Sequence, residues 1–252
     1  MANQACCTNL PGPTPSSAPS GSYTTIAGLH TYTTSGSESS PTRAIILIHD
    51  IFGLAPQTLL GADLLAASAK ALVLVPDFFH GEPLSVDQLP VDSEEKRTGF
   101  MKFMAEKADL EKNGTVLRRV REEAGGRFLE VEKWGVLGLC WGGKLVALAS
   151  APGSVFAASG MAHPAQLATE DAANTAIPHC CLFSKEDGTP ELIEEYTKAL
   201  QSSSCASEIV VEKYGDMIHG WMGARADLSG NHCTTEFQRG YKQMATFFEK
   251  HL

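Results

Sequence analysis

Positive charge and long apolar runs are both scarce in this sequence. The chain has 20 Lys and Arg residues against 29 Asp and Glu, which gives a formal net charge of −9. An excess of negative charge repels phosphate backbones, so we expect no nucleic-acid partner. The longest apolar runs, Ala44–Ile48 and Ala71–Val75, are far shorter than the ~20 residues that a membrane-spanning helix needs, so we expect no membrane partner.

The sequence also lacks the cysteine pattern of a disulfide framework. Its seven cysteines are an odd number at irregular spacings, which favours reduced thiols. No His and Cys residues show the spacing of a zinc site, and no Gly-rich phosphate-binding loop opens a helix. We therefore expect no metal and no other cofactor. The N-terminus carries neither the basic nor the apolar segment of a secretory signal, so we expect a cytoplasmic protein.

Proline is concentrated at the N-terminus, where residues 1–22 hold Pro11, Pro13, Pro15 and Pro19 among few apolar side chains. Such a composition cannot build a core and predicts an arm that lies extended along the surface. Residues 23–252 contain no repeat and no linker, so we predict a single domain there. Gly125-Gly126 is the best candidate for a break, and we interpret it as the end of the preceding helix.

Short apolar runs alternate with helical patterns along residues 23–252. The predicted strands are 44–48, 72–75, 134–138, 155–159, 180–183 and 208–213, and the predicted helices are 56–70, 141–150, 189–201 and 234–250, with a further amphipathic stretch at 93–124. Continuous apolar runs of four to six residues between helices are typical of a parallel sheet covered on both faces. We therefore predict an α/β fold with a mostly parallel central sheet.

The string Gly138-Leu-Cys-Trp-Gly142 fits the pattern G-x-C-x-G between a predicted strand and a predicted helix. Glycines beside the central residue let a sharp turn close and leave its side chain exposed. At the start of a helix, Cys140 meets the positive end of the helix dipole, which favours the reactive thiolate. The alternative is a small core cysteine between packing glycines, but the strand–turn–helix placement favours a nucleophile.

A thiolate nucleophile needs an imidazole, which a carboxylate orients. Asp187 follows the strand 180–183 and His219 follows the strand 208–213, which is the chain order expected after a nucleophile on a strand-to-helix turn. Glu186 is the competing acid. The histidines near other predicted strand ends are less suited as the general base: His49, His80, His163 and His179.

Several strings spread in order along the chain match one known family. They are His49–Gly53, Val75–Gly81, Gly138–Lys144, Ala162–Pro164, Glu186-Asp187 and His219–Trp221. On these residues the sequence resembles the dienelactone hydrolase family, in its eukaryotic, fungal-type branch. The leader Ala5–Thr8 also resembles that branch. The resemblance implies an α/β-hydrolase fold.

The resemblance also implies the chemistry of the site. It implies a catalytic triad of Cys140, Asp187 and His219 that hydrolyses small esters or lactones through a thioester. It further implies an oxyanion hole made by the backbone N–H groups of Ile51 and Trp141. The partner that these expectations name is a small-molecule ester or lactone.

Two positions depart from the bacterial members of the family. There, a Glu directly before the oxyanion-hole Ile holds the resting thiol, whereas this chain has Asp50, which is one methylene shorter. The bacterial enzymes also place a carboxylate-binding arginine four residues after the His, whereas Arg225 lies six residues after His219. The first departure puts the substrate-triggered activation of the bacterial enzymes in question, and the second puts recognition of a dienelactone carboxylate in question.

The substrate pocket is expected near these groups, with a shape that depends on residues 81–105. The side chains expected in its walls are Phe79, His80, Trp141, His163 and Trp221, and Asp50 and Arg225 are expected to face the same pocket. One alternative is a pathway-specific enzyme that opens a ring, isomerises its substrate or releases a thioester-bound product. Another is a non-catalytic protein of the same fold that binds a partner or senses oxidants through its thiols. A monomer and a homodimer are both open.

Overall fold

The structure is a computed structural model and describes residues 9–36 and 40–252. The strands in this part of the chain are β1 (Ser22–Ile26), β2 (Leu29–Thr34), β3 (Arg43–Ile48), β4 (Leu72–Pro76), β5 (Lys133–Leu139), β6 (Ala158–Ala162), β7 (His179–Ser184) and β8 (Ile209–Tyr214). The helices are α1 (Pro56–Ala69), α2 (Glu94–Glu106), α3 (Leu110–Arg127), α4 (Trp141–Ala149), α5 (Thr169–Ala173), α6 (Pro190–Gln201) and α7 (Asn231–His251).

The eight strands form one sheet in the order β1-β2-β4-β3-β5-β6-β7-β8. β1 and β2 are antiparallel to their neighbours, and all pairs from β4 to β8 are parallel. Because parallel strands point the same way, the loops that follow them meet at one edge of the sheet. The predicted α/β fold with a mostly parallel sheet is confirmed.

Alternate side chains of the strands pack on opposite faces of the sheet. Ile45 and Leu47 of β3 join a buried cluster with residues of α1 and α7. Ile46 and Ile48 join a second cluster with residues of α3 and α4 on the other face. Both faces are therefore covered by helices, which explains why the parallel strands are continuously apolar.

The strand predictions need two corrections. β1 and β2 were missed because their Thr and Tyr residues form no continuous apolar run, which is usual for antiparallel strands with one face in contact with solvent. The strand predicted at 155–159 instead begins at Ala158, where pairing with β5 starts. Val155 is nearly half exposed and lies in the loop before β6. Phe156 in the same loop is buried in the core, so its apolar side chain serves packing and not strand pairing.

The helix predictions also need corrections. The amphipathic stretch 93–124 forms two helices, α2 and α3, rather than one. Gly125-Gly126 does not end α3, which continues to Arg127, because the backbone there stays helical and Phe128 closes the last turn with a bond to the Ala124 carbonyl.

Three further observations concern predictions about the whole chain. Within residues 9–36 and 40–252, no helix combines the length and the apolar content needed to cross a membrane. The cysteines in the same residues are free thiols: Cys140, Cys180, Cys181, Cys205 and Cys233. The leader Ala5–Thr8, with its two cysteines, lies outside the described residues.

Candidate active site

Four polar side chains follow four neighbouring strands of the sheet. Cys140 directly follows β5, His163 directly follows β6, Asp187 lies in the loop after β7, and His219 lies in the loop after β8. Because these strands are parallel and adjacent, their carboxyl ends form one continuous edge. The structure therefore brings together residues that lie up to 79 positions apart in the sequence.

Cys140 occupies a sharp turn between β5 and α4, with φ 53° and ψ −112°. A positive φ is strained for a residue with a side chain. The turn is also crowded, since a Cβ on Gly138 would lie 2.1 Å from the carbonyl oxygen of Gly142. A Cβ on Gly142 would lie 2.4 Å from the carbonyl oxygen of Ile48. Glycine at both flanking positions is thus what lets the backbone hold Cys140 in this conformation.

His219 connects Cys140 to Asp187. Its Nδ1 donates to Oδ1 of Asp187 at 2.7 Å, and its ring is also hydrogen-bonded to the side chain of Cys140. The Asp187 carboxylate is held in place by the backbone N–H and the hydroxyl of Ser184 at the end of β7. Glu186, the competing acid, instead accepts the backbone N–H of His219 at 3.1 Å. Asp187 is therefore the carboxylate that faces the imidazole.

The electrostatics of the site favour a charged pair. Burial alone would lower the pKa of His219, but the charge of the Cys140 thiolate and the hydrogen bonds to Asp187 and Cys140 outweigh it and raise the pKa to about 10. The raised pKa favours a protonated His219 at neutral pH, and an imidazolium next to Cys140 would in turn favour the thiolate of that cysteine. A sulfur in this state is the reactive form of cysteine.

The segment that ends β3, just before Ile51, contacts the start of α4, where Trp141 lies. Gly142 is packed directly against the carbonyls of Ile48 and His49, so the loop after β3 contacts the first turn of the helix. Trp141 is the first residue of α4, and the N–H of a first helical residue has no acceptor within its own helix. The backbone groups predicted to form an oxyanion hole thus belong to two elements in direct contact.

His49 braces this loop. The backbone N–H of Phe78 donates to Nε2 of His49 at 3.2 Å, so the ring proton is on Nδ1, which donates to the carbonyl of Asp50 at 2.8 Å. Burial lowers the pKa of His49 in spite of the carbonyl of Asp50 and the nearby carboxylates of Asp50 and Asp77, which act the other way. His49 therefore works as a neutral bridge between the loops after β3 and β4.

Phe79 and Trp141 form an aromatic cluster under these loops. Their ring centroids are 4.8 Å apart, and Phe79 also packs edge-to-face on Phe103 of α2. The indole Nε1 of Trp141 donates to the carbonyl of Ala108 at 2.9 Å. Both side chains are almost completely buried, so these contacts make them part of the core beneath the predicted pocket.

Two other residues expected in the pocket wall lie elsewhere. The indole of Trp221 stacks on Tyr214 with centroids 4.3 Å apart and lies against Gly240 of α7, so it belongs to the core on that face of the sheet. The apolar character of Trp221 therefore reflects packing under the last helix. His80 is exposed in the turn after β4, with a φ of 55°.

His163 does lie beside the candidate residues. Its ring is 5.3 Å from that of His219 between centroids, with the planes at 75°. Its side chain is completely buried. The backbone on both sides of it also contacts Cys140, whose N–H donates to Ala162 and whose carbonyl accepts the N–H of Ala165.

A family model agrees with these observations. The model described as the dienelactone hydrolase family matches residues 29–252. The chain belongs to the dienelactone hydrolase family. It is 36% identical over 226 residues to an uncharacterized AIM2 family protein of Schizosaccharomyces pombe, and the match covers 89% of each chain. It is 27% identical over 187 residues to a carboxymethylenebutenolidase homolog of Homo sapiens, over 71% of each chain.

Solved structures show the same fold. A putative dienelactone hydrolase from Klebsiella pneumoniae superposes with a TM-score of 0.71 at 16% identity, over 91% of this chain and 98% of that chain. The resemblance inferred from the sequence motifs is thus confirmed. As a member of the dienelactone hydrolase family, the chain is a hydrolase that acts on ester bonds.

Asp50, one of the departures from the bacterial dienelactone hydrolases, accepts hydrogen bonds from two backbone N–H groups. Its Oδ1 accepts the N–H of Phe52 and its Oδ2 accepts the N–H of Ala224, each at 2.9 Å. Both carboxylate oxygens are therefore engaged in holding the loop after β3 to the loop after His219. The sequence suggested a pocket residue here, and nothing local indicated a partner so far along the chain.

Arg225, the other departure, anchors the N-terminal arm. Its Nε donates to the carbonyl of Asn9 at 2.9 Å, and its guanidinium lies over the ring of Phe52 at 5.0 Å. The side chain of Asn9 donates to Glu186 at 3.2 Å. Gly12 adds a backbone bond to the loop that carries Arg225. Arg225 thus joins the N-terminal arm to the loop after β8.

Sequence reasoning missed the supporting residues Ser184, His49 and Asn9. The only signals were a serine three residues before Asp187 and a histidine at the end of a strand, and both are common in loops. Asn9 had no signal, because its contacts depend on where the arm lies.

Proposed function

We propose that this protein is a cysteine-dependent hydrolase of small carboxylic esters or lactones, which works through a thioester intermediate. Cys140 is the nucleophile, His219 the general acid and base, and Asp187 the residue that orients His219. The observation that carries the proposal is the position of His219, which is hydrogen-bonded to both Asp187 and Cys140. This arrangement supplies a nucleophile, its base and an orienting group.

Acylation begins from the thiolate–imidazolium pair. The Cys140 sulfur attacks the substrate carbonyl and forms a tetrahedral adduct, whose oxyanion accepts hydrogen bonds from the backbone N–H groups of Ile51 and Trp141. The adduct collapses to a thioester and expels the alcohol oxygen, which takes the proton from His219. In a lactone the expelled oxygen stays attached to the acyl group, so the ring opens.

Deacylation uses the same groups in reverse. Acylation removes the negative charge of the sulfur, so His219, now neutral, accepts a proton from water while the water oxygen attacks the thioester carbonyl. The second tetrahedral adduct expels the Cys140 thiolate and releases the carboxylic acid. The proton taken from water remains on His219, which restores the starting pair.

The site favours neutral ester substrates over amides and carboxylates. A thiolate leaves a tetrahedral adduct more readily than an amine does, so an amide adduct returns to substrate. Arg225 donates to the arm and stacks on Phe52, which commits the first cation after His219 in the sequence to a structural role. We therefore propose substrates without a carboxylate beside the scissile bond.

Replacement of the nucleophile tests this proposal. Cys140→Ala should reduce hydrolysis of 4-nitrophenyl acetate and of a small enol lactone by at least about a thousandfold. Cys205→Ala, which removes another partly buried free thiol, should keep near wild-type turnover. Full turnover by Cys140→Ala would contradict the proposal. Hydrolysis restricted to acyl-thioesters would instead support the pathway-specific alternative.

A further inference from the structure

The backbone at His163 is held in an unusual conformation next to the nucleophile. His163 has a φ of 40°, which is left-handed, and precedes Pro164, which disfavours helical conformations in the residue before it. Its N–H donates to the carbonyl of Leu182 at 2.8 Å, which continues the pairing of β6 with β7. The turn that follows therefore directs the His163 side chain at the edge of the sheet where Cys140 lies.

The imidazole of His163 has no hydrogen-bond partner in the described part of the chain. Both ring nitrogens are buried, and neither makes a hydrogen bond to a described polar atom. His49, which is equally buried, uses both of its nitrogens. A buried polar group without a partner destabilises the fold, so it signals a partner outside the protein fold or a functional demand.

The surroundings of His163 keep it neutral and favour an oxygen ligand. Burial, and then the positive charges of His219 and Arg225, hold the pKa of His163 well below its usual value. A neutral imidazole offers one N–H donor and one acceptor nitrogen. Its N–H requires an acceptor with a lone pair, and an uncharged oxygen of a ligand meets that requirement.

We propose that His163 binds an oxygen atom of the substrate, separate from the carbonyl oxygen that the backbone amides hold. The inference rests on the proposed function and deepens it. Cys140, His219 and His163 are all fully buried, and the ring of His163 lies 5.3 Å from that of His219, so a substrate that reaches the sulfur comes close to His163. The substrates preferred are esters or lactones with an uncharged ether, hydroxyl or keto oxygen close to the scissile carbonyl, on the acyl or the alcohol side.

Matched substrate pairs test this binding. The acyl arm compares 4-nitrophenyl butyrate with 4-nitrophenyl methoxyacetate, and the alcohol arm compares butyl acetate with 2-methoxyethyl acetate. Within each pair the chain length is equal and only one CH₂ is replaced by oxygen. His163→Phe keeps a flat ring but removes both nitrogens, and His163→Gln keeps a donor and an acceptor.

His163→Phe should lower kcat/KM for the oxygen-containing member of at least one pair tenfold or more beyond its effect on the alkyl member. His163→Gln should recover part of that difference, and the loss should fall mainly on KM. His179→Gln is the matched control, because His179 is also buried with an unpartnered ring nitrogen but begins β7, at the opposite edge of the sheet. It should affect both members of each pair equally.

The outcomes separate this inference from the proposed function. If the wild type turns over both pairs and folded His163→Phe or His163→Gln changes the two members in parallel within twofold, the binding role is wrong while thiol catalysis stands. If the wild type shows no turnover and no acyl adduct with any of the esters, the proposed function fails and this inference fails with it. Thermal unfolding of each variant identifies those that are folded.

Discussion

The carboxylate of Asp50 accepts the backbone N–H of Ala224 at 2.9 Å, across 174 positions of the sequence. Its other oxygen accepts the N–H of Phe52. One buried side chain thus joins the loop that presents Ile51 to the loop that carries His219. In the proposed mechanism these loops hold the oxyanion and the base, so Asp50 sets their relative position without contacting the substrate.

Loss of this carboxylate should reduce kcat more than KM. In Asp50→Asn, an amide NH₂ faces one of the two backbone donors, which costs about 1–3 kcal/mol of the free energy of unfolding. The displaced Ile51 amide should lower kcat roughly tenfold to a hundredfold. Steady-state kinetics on 4-nitrophenyl acetate and urea unfolding measure the two effects.

Asp77→Asn is the control for this variant. Asp77 is also buried and accepts two backbone N–H groups, those of Phe79 and Gly81, in the loop after β4. It should lose similar stability but little kcat. Equal loss of kcat in both variants would show that Asp50 acts only through stability.

The raised pKa of His219 should depend on the charge of Cys140. In Cys140→Ser no thiolate is present, so we expect the pKa of His219 to fall well below the value of about 10 that the pair supports. NMR titration of the imidazole nitrogens gives this pKa directly, with Cys205→Ser as the control. In the wild type, the rate of acylation should stay constant until the pH approaches the His219 pKa of about 10 and should decline above it. A His219 pKa near 10 in Cys140→Ser would exclude the ion pair.

The turn at Cys140 should not tolerate a side chain at Gly142. In Gly142→Ala the new Cβ would lie 2.4 Å from the Ile48 oxygen, which belongs to backbone that cannot move aside. We expect a loss of about 1–3 kcal/mol in unfolding free energy, together with loss of activity. Gly126→Ala in α3 is the matched control, since a Cβ there meets no atom within 4 Å and alanine favours a helix by up to about 1 kcal/mol. Two variants of equal stability would disprove the close approach.

Acid should destabilise the protein through its buried neutral histidines. Burial lowers the pKa of His179 from 6.5 to about 4, so below pH 6.5 the unfolded chain takes up a proton that the folded protein does not. The contribution of His179 to stability is present above pH 6.5 and declines by about 3 kcal/mol as the pH falls to 4. The difference in unfolding free energy between wild type and His179→Gln should shrink accordingly. A constant difference for His179→Gln would contradict the prediction.

The parts of the site that the sequence predicts are those that follow from chain order. Cys140, Asp187 and His219 each come after an apolar run, and parallel strands place their carboxyl ends together whatever the loops do. The partners of Asp50 and Arg225 were not predictable, because these side chains bond to backbone 174 and 216 positions away. Trp221 was misplaced for a related reason, since an aromatic residue next to a functional histidine serves equally well to fill the core under α7.

The most direct test of covalent thiol catalysis is the intact-protein mass after rapid mixing with 4-nitrophenyl acetate or a small enol lactone. We predict a transient acyl adduct on the wild type, a long-lived adduct on His219→Ala, which cannot activate water, and none on Cys140→Ala. The exposed His80→Ala control should behave as the wild type. An adduct of the same mass and lifetime on Cys140→Ala, or turnover by the wild type with no adduct on it or on His219→Ala, would contradict the account.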